Sequence, residues 1–217
     1  MNTSNGESIT KGNGNGLQPA VLLIGPTGSG KSPLGDYLEK VGFNGELCTH
    51  FDFGSSLRRV ARREDIIAGL TEPDIAFVST VLKGGALLEN DKFYIAERII
   101  THFAQKAGIG NNHYLVLNGL PRHVEQAIDV DRLVSVRFLL HLCCTPQVVA
   151  ERIRMNTGGD RTGRNDDSPA EIQKKIRLFQ KRTIPLLEYY RSRGVIVKDI
   201  DVNVDTTPMQ IVNTLVL

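Results

Sequence analysis

The chain has no tryptophan, and three of its 217 residues are cysteine. Cys48, Cys143 and Cys144 neither form an even disulfide set nor show the paired spacing of a zinc site. A disulfide-stapled scaffold is excluded, and a reducing, cytoplasmic setting is expected. Cys143 and Cys144 end an apolar run and read as buried strand thiols. No stretch of about 18 apolar residues occurs, so no membrane-spanning segment is expected. The N-terminus lacks the apolar core of a signal peptide. Charge of one sign is also missing. The 26 Lys and Arg against 24 Asp and Glu leave a net +2, which demands neither nucleic acid nor an anionic membrane as partner. The five histidines, at positions 50, 102, 113, 123 and 141, show no ligand spacing and read as structural or exposed.

What is present is a 41% hydrophobic content, enough for one sizeable core. Residues 1–18 are rich in Asn, Gly, Ser and Thr and read as a flexible tail. Residues 19–217 read as one folded domain. Apolar runs at 20–24, 47–53, 114–117, 134–142 and 195–200 have strand character. Helical stretches lie between them, at 93–106 and at 170–193, the latter carrying Pro185 as a kink or interruption. Thr206-Thr207-Pro208 reads as the cap and first turn of a final helix. Alternating strands and helices predict an α/β fold. The expected form is a three-layer α/β/α sandwich on a five-stranded parallel sheet, with ligands beyond the carboxyl ends of the strands.

Gly25-Pro26-Thr27-Gly28-Ser29-Gly30-Lys31-Ser32 fits G-x-x-x-x-G-K-[ST], between a buried strand and a helix. In such a phosphate loop the glycines let backbone N–H groups converge on phosphate oxygens. The helix N-terminus adds partial positive charge, and Lys31 adds a full one. The Ser32 hydroxyl suits the Mg²⁺ that accompanies a nucleoside triphosphate. Gly25, Thr27, Gly28, Ser29, Gly30, Lys31 and Ser32 are therefore candidate ATP-binding residues. Two further segments place an arginine just past a strand end: Asn118-Gly119-Leu120-Pro121-Arg122-His123-Val124-Glu125-Gln126, and Phe53-Gly54-Ser55-Ser56-Leu57-Arg58. An arginine fork offers phosphate paired, charge-assisted hydrogen bonds. A third segment, residues 152–164, is rich in glycine and arginine. It reads as a short lid (about 155–168) that closes positive charge over a transferring phosphoryl group and keeps water out.

On these motifs the chain resembles the adenylate kinases and, more broadly, the nucleoside monophosphate kinases, from about residue 21 to 212. Residues 118–126 meet D-G-[FY]-P-R-x-x-x-Q except at the first position. Residues 53–58 echo T-G-D-L-L-R, and Gly85-Ala86-Leu87-Leu88 echoes G-K-L-V. Thr162-Gly163-Arg164-Asn165-Asp166-Asp167 matches the short-lid pattern S-G-R-x-D-D. The resemblance implies a P-loop NTPase fold with a helical monophosphate-binding insert at about 50–90. It implies Mg²⁺-dependent, reversible transfer of the ATP γ-phosphoryl group to a nucleoside monophosphate, and commonly a monomer. Arg58 and Arg122 would hold the acceptor phosphate, and Gln126 would hydrogen-bond the acceptor base. Phe53, Leu88 and Gly119 would line that pocket. A glutamine at 126 goes with adenine in this family, so AMP is the expected acceptor. Arg154 would stack on the ATP adenine. Lys31, Arg122, Arg161, Arg164 and Lys175 would form the catalytic set.

The resemblance has gaps at chemically active positions. Asn118 stands where the family has the aspartate that orders the water shell of Mg²⁺, and is a weak, water-mediated partner. Gly158 replaces the first lid arginine, with Arg161 as a nearby substitute. Lys175 replaces an arginine, and Pro33 a threonine. Two functions therefore stand side by side: a kinase acting on AMP, and a nucleotide-binding regulatory relative without efficient transfer.

Overall fold

The computed structural model describes residues 16–110, 113–161 and 168–215. Five strands form one all-parallel sheet in the order β2-β3-β1-β4-β5. These are β1 (Gln18–Ile24), β2 (Leu47–Asp52), β3 (His113–Asn118), β4 (Val134–Cys143) and β5 (Ile196–Asp201). The helices are α1 (Lys31–Val41), α2 (Phe53–Ala61), α3 (Glu72–Gly84), α4 (Phe93–Ala107), α5 (Val124–Val130), α6 (Pro146–Met155), α7 (Pro169–Leu178), α8 (Pro185–Arg191) and α9 (Pro208–Thr214). β1 begins at Gln18, whose buried side chain donates to the His113 carbonyl, so the folded part starts one residue before the expected boundary. Residues 1–15 lie outside the described residues.

Side chains alternate across the sheet, and each face has its own core. Ala20, Leu22 and Ile24 of β1 join one apolar cluster, together with Ile95 and Ile99 of α4, Val130 of α5 and Leu186 of α8. Val21 and Leu23 join the other, with Leu34 and Leu38 of α1 and Ile211 of α9. This is the three-layer sandwich expected from β/α alternation. β4 changes phase on the way. Ala20 pairs with Val136 but Val21 with Phe138, so Arg137 is looped out and exposed. A bulge of this kind moves the following side chains to the opposite face. Val134 and Val136 accordingly pack on the first face and Phe138, Leu140 and Leu142 on the second. Leu139 stays with the first.

The insert between β2 and α4 is helical, made of α2 and α3. The α3 start carries a capping box, Thr71 with Asp74, and Pro73 at the first turn. The long helical stretch at 170–193 is interrupted before Pro185, which has no N–H for the ladder. Residues Phe179–Thr183 form a π-turn in which the Ile184 N–H reaches back to the Phe179 carbonyl. Thr207 caps α9 through a box with Gln210, as the sequence indicated. Cys48 is buried, whereas Cys143 and Cys144 are half-buried because β4 ends there. Among the described residues, no helix is long and apolar enough to cross a membrane.

Candidate functional site

One cleft opens at the carboxyl ends of β1, β2 and β3, where the strand order changes direction. Its floor is the loop between β1 and α1. Gly28 (φ 76°) and Gly30 (φ 95°) hold left-handed conformations there that L side chains rarely adopt. Those dihedrals turn the chain so that α1 starts at Lys31 with its N-terminus at the cleft. The loop is closed by its own lysine. Lys31 Nζ donates to the carbonyls of Gly25 (2.7 Å) and Pro26 (2.8 Å). Desolvation in the loop pulls the ammonium from its ordinary value down to about 7, and neighbouring Arg122 adds to the effect.

Beside the loop sits a polar cluster that motif spacing does not show. Asp52 ends β2 and caps α2, its Oδ1 accepting from the Ser55 N–H at 2.8 Å. Its Oδ2 accepts from Ser32 Oγ at 2.7 Å and from Asn118 Nδ2 at 2.8 Å. Asn118 Nδ2 also reaches Ser32 Oγ at 3.0 Å. Asn118 is the register partner of Asp52 on β3, so the two side chains emerge together from adjacent strand ends. The carboxylate and the hydroxyl are oxygen donors that suit a hard cation such as Mg²⁺, while Asn118 turns its NH₂ group toward both. The signal for Asp52 was available: a carboxylate at a strand's end, one residue before an arginine-bearing helical turn.

The rest of the cleft is basic. Lys31, Arg58, Arg122, Arg161 and Lys175 line it, against Asp52 and Asp160. Convergent positive charge between low-dielectric walls attracts polyanions. Burial lowers the pKa of Arg122 from its ordinary value. Arg161 comes from the turn beyond α6, and its Nη2 donates to Thr27 Oγ1 at 3.1 Å, which brings the lid stretch onto the phosphate loop. Phe53, Leu88, Gly119 and Gln126 line the side toward the insert. Gln126 is fully buried. Its Nε2 donates to the Leu88 carbonyl (2.7 Å) and its Oε1 accepts from the Arg122 N–H (2.8 Å). One amide hydrogen and one carbonyl lone pair are left for a ligand.

Of the expected site residues, Gly25, Thr27, Gly28, Gly30, Lys31, Ser32, Phe53, Arg58, Leu88, Asn118, Gly119, Arg122, Gln126, Arg161 and Lys175 all line this cleft. Ser29 is buried beneath the loop, with its hydroxyl near Lys31 Nζ. Arg154 is directed away: it is exposed on α6 and pairs with Glu151 one turn back. Arg164 and the rest of 162–167 lie outside the described residues. Sequence reasoning grouped Arg152 with the lid, but the fold buries it. Arg152 Nε donates to the Gly28 carbonyl (3.2 Å), and Nη1 to the carbonyls of Asn203, Val204 and Thr206 (2.7–3.1 Å). It clamps the phosphate loop to the β5–α9 connection.

Comparison with known proteins adds relatives to this geometry. No family model matches the chain. It is 24% identical over 195 residues to UMP-CMP kinase 3 of Arabidopsis thaliana, covering 88% of this chain and 86% of that protein. It is 25% identical over 180 residues to adenylate kinase isoenzyme 1 of Cyprinus carpio, covering 82% and 84%. A shorter match, 30% over 89 residues, links it to uridylate kinase of Saccharomyces cerevisiae, of whose length it covers 43%.

Proposed function

We propose that this chain, a divergent relative of the nucleoside monophosphate kinases, transfers the γ-phosphoryl group of Mg·ATP reversibly to a nucleoside monophosphate, with AMP as the preferred acceptor. The observation that carries the reading is a single cleft lined by two groups of residues suited to phosphate. The loop at 25–32 forms one group, and Arg58, Arg122 and Gln126 the other.

Phosphoryl transfer asks a protein mainly for positioning and for positive charge around the equatorial oxygens. In the proposed mechanism the loop N–H groups and Lys31 hold the donor phosphates. Lys31 leaves the Gly25 and Pro26 carbonyls to do so. Arg58 and Arg122 orient the acceptor phosphate, whose oxygen is itself the nucleophile, so no strong general base is needed. Arg161 from the turn beyond α6 and Lys175 from α7 supply further charge, and the reading assigns Arg164 the same role. Ser32, with Asn118 beside it, would hold the Mg²⁺, which would supply positive charge against the transferring phosphoryl oxygens. Gln126 supports adenine as the acceptor base because its amide keeps a donor and an acceptor free. Arg154 would have to leave Glu151 to reach a base, and it plays no part in these steps.

The kinase reading is preferred over a transfer-deficient regulator because Arg161 and Lys175 line the cleft, although Gly158 and Lys175 depart from the family pattern. The test is a screen of ATP and Mg²⁺ against AMP, UMP, CMP and GMP, following ADP. Production above the ATP-only control, greatest with AMP, is expected, and Lys31→Ala should abolish it. No ADP above control with any acceptor refutes transfer.

A further inference from the structure

We propose that Asp52, rather than a residue at the end of β3, is the carboxylate that binds the divalent cation of the donor nucleotide; this rests on reading the loop at 25–32 as a triphosphate site. Mg²⁺ at a phosphate loop is held by the loop hydroxyl together with an acidic side chain from a neighbouring strand end. Here β3 ends in Asn118, a neutral amide. The carboxylate stands one strand over, at the matching register position on β2. Asp52 Oδ2 lies 2.7 Å from Ser32 Oγ. Two oxygens on adjacent corners of an octahedron with bonds of ~2.0–2.1 Å are separated by about 2.9 Å. The hydroxyl and the carboxylate are thus already spaced as neighbouring ligands.

The surrounding bonds fix this arrangement. Oδ1 is committed to the α2 cap, at 2.8 Å from the Ser55 N–H, and this orients Oδ2 toward Ser32. Asn118 donates to Oδ2 at 2.8 Å. A second carboxylate at that distance would repel the first when no cation is bound, and the neutral amide at 118 avoids that repulsion. The other carboxylate in the cleft, Asp160, comes from the lid turn rather than a strand end. The charge normally expected on β3 has been moved to β2, and the amide has taken its vacated place.

The test measures metal preference without turnover. The β,γ-imido analogue of ATP is titrated into the full chain with Mn²⁺ and, separately, in EDTA, while electron paramagnetic resonance follows bound Mn²⁺. Asn caps a helix as well as Asp does, so Asp52→Asn keeps the α2 start. Wild type should bind the Mn²⁺ complex at least about tenfold more tightly than the metal-free analogue. Asp52→Asn should lose that preference and the protein-bound Mn²⁺ signal while keeping its affinity in EDTA. The exchange variant Asp52→Asn/Asn118→Asp should recover part of both. An unchanged preference in Asp52→Asn overturns the assignment, as does a wild type with no metal preference. Wild type that binds neither form overturns both this and the loop reading. Metal-dependent binding that Asp52→Asn removes, with no transfer to any monophosphate, refutes the kinase reading and leaves Asp52 in place.

Discussion

Lys31 is a cation waiting for its counter-charge. In the free protein its ammonium is bonded to two carbonyls and sits near Arg122, and its pKa falls to about 7. Polyphosphate in the loop restores the charged form. Nucleotide binding at pH 8 should therefore take up close to one proton, and almost none at pH 6. Calorimetry in buffers of different ionisation enthalpy measures this, and equal uptake at both values would contradict it. The sign for stability follows. The unfolded lysine holds its proton to about 10.5 and the folded one only to about 7. This group penalises the ligand-free fold fully below pH 7, and the penalty is relieved as pH rises toward 10.5. Gln126 makes a second prediction. Asparagine is too short to join the Leu88 carbonyl to the Arg122 N–H. Gln126→Asn should cost about 1 kcal/mol in denaturant unfolding and narrow any preference for AMP over UMP or CMP. The phosphate loop, Arg122 and Gln126 were legible because their spacing is local. Asp52 carried only the weak signal of a carboxylate at a strand end, because its meaning depends on β2 and β3 ending side by side.

Elements show the same limit. The sheet and most helices follow from apolar periodicity, and Thr207-Pro208 announces α9. The bulge at Arg137 does not show in the run at 134–142, which is apolar on both faces and so hides its change of phase. The last turn of α6 was hidden as well, since the arginines at 152 and 154 read as the start of the lid between two helices. Arg152 and Arg154 look equivalent in sequence and differ completely in the fold. Arg152 is 5% exposed and bonded to four carbonyls, whereas Arg154 is exposed and pairs only locally with Glu151. Arg152→Met removes four hydrogen bonds made by a buried guanidinium and should destabilise by about 1–3 kcal/mol. Arg154→Met should stay within about 0.5 kcal/mol. Urea unfolding of the two variants tests the contrast, and equal losses would remove the clamp. The π-turn at 179–183 is read most easily through Thr183. The turn lets its hydroxyl donate to the Arg122 carbonyl at 2.8 Å, so a helix irregularity braces an arginine that lines the cleft.

At the scale of the whole molecule, the loop at 25–32 and the segment at 118–126 line one cleft over one sheet, so nucleotides bound as proposed should act on global stability. ATP with Mg²⁺ at 100 times its dissociation constant should add about 2.7 kcal/mol to unfolding, read as a rise in melting temperature. Asp52→Asn should lose part of the Mg²⁺-dependent share of that gain. The cleft is lined by residues no later than Thr183. Its phosphate loop is nevertheless braced by Arg152 against carbonyls at 203, 204 and 206. During synthesis, a nascent chain halted before residue 203 would hold every cleft residue and still lack the brace. The β5–α9 connection, made more than 170 residues after the loop at 25–32, thus fixes the conformation of that loop.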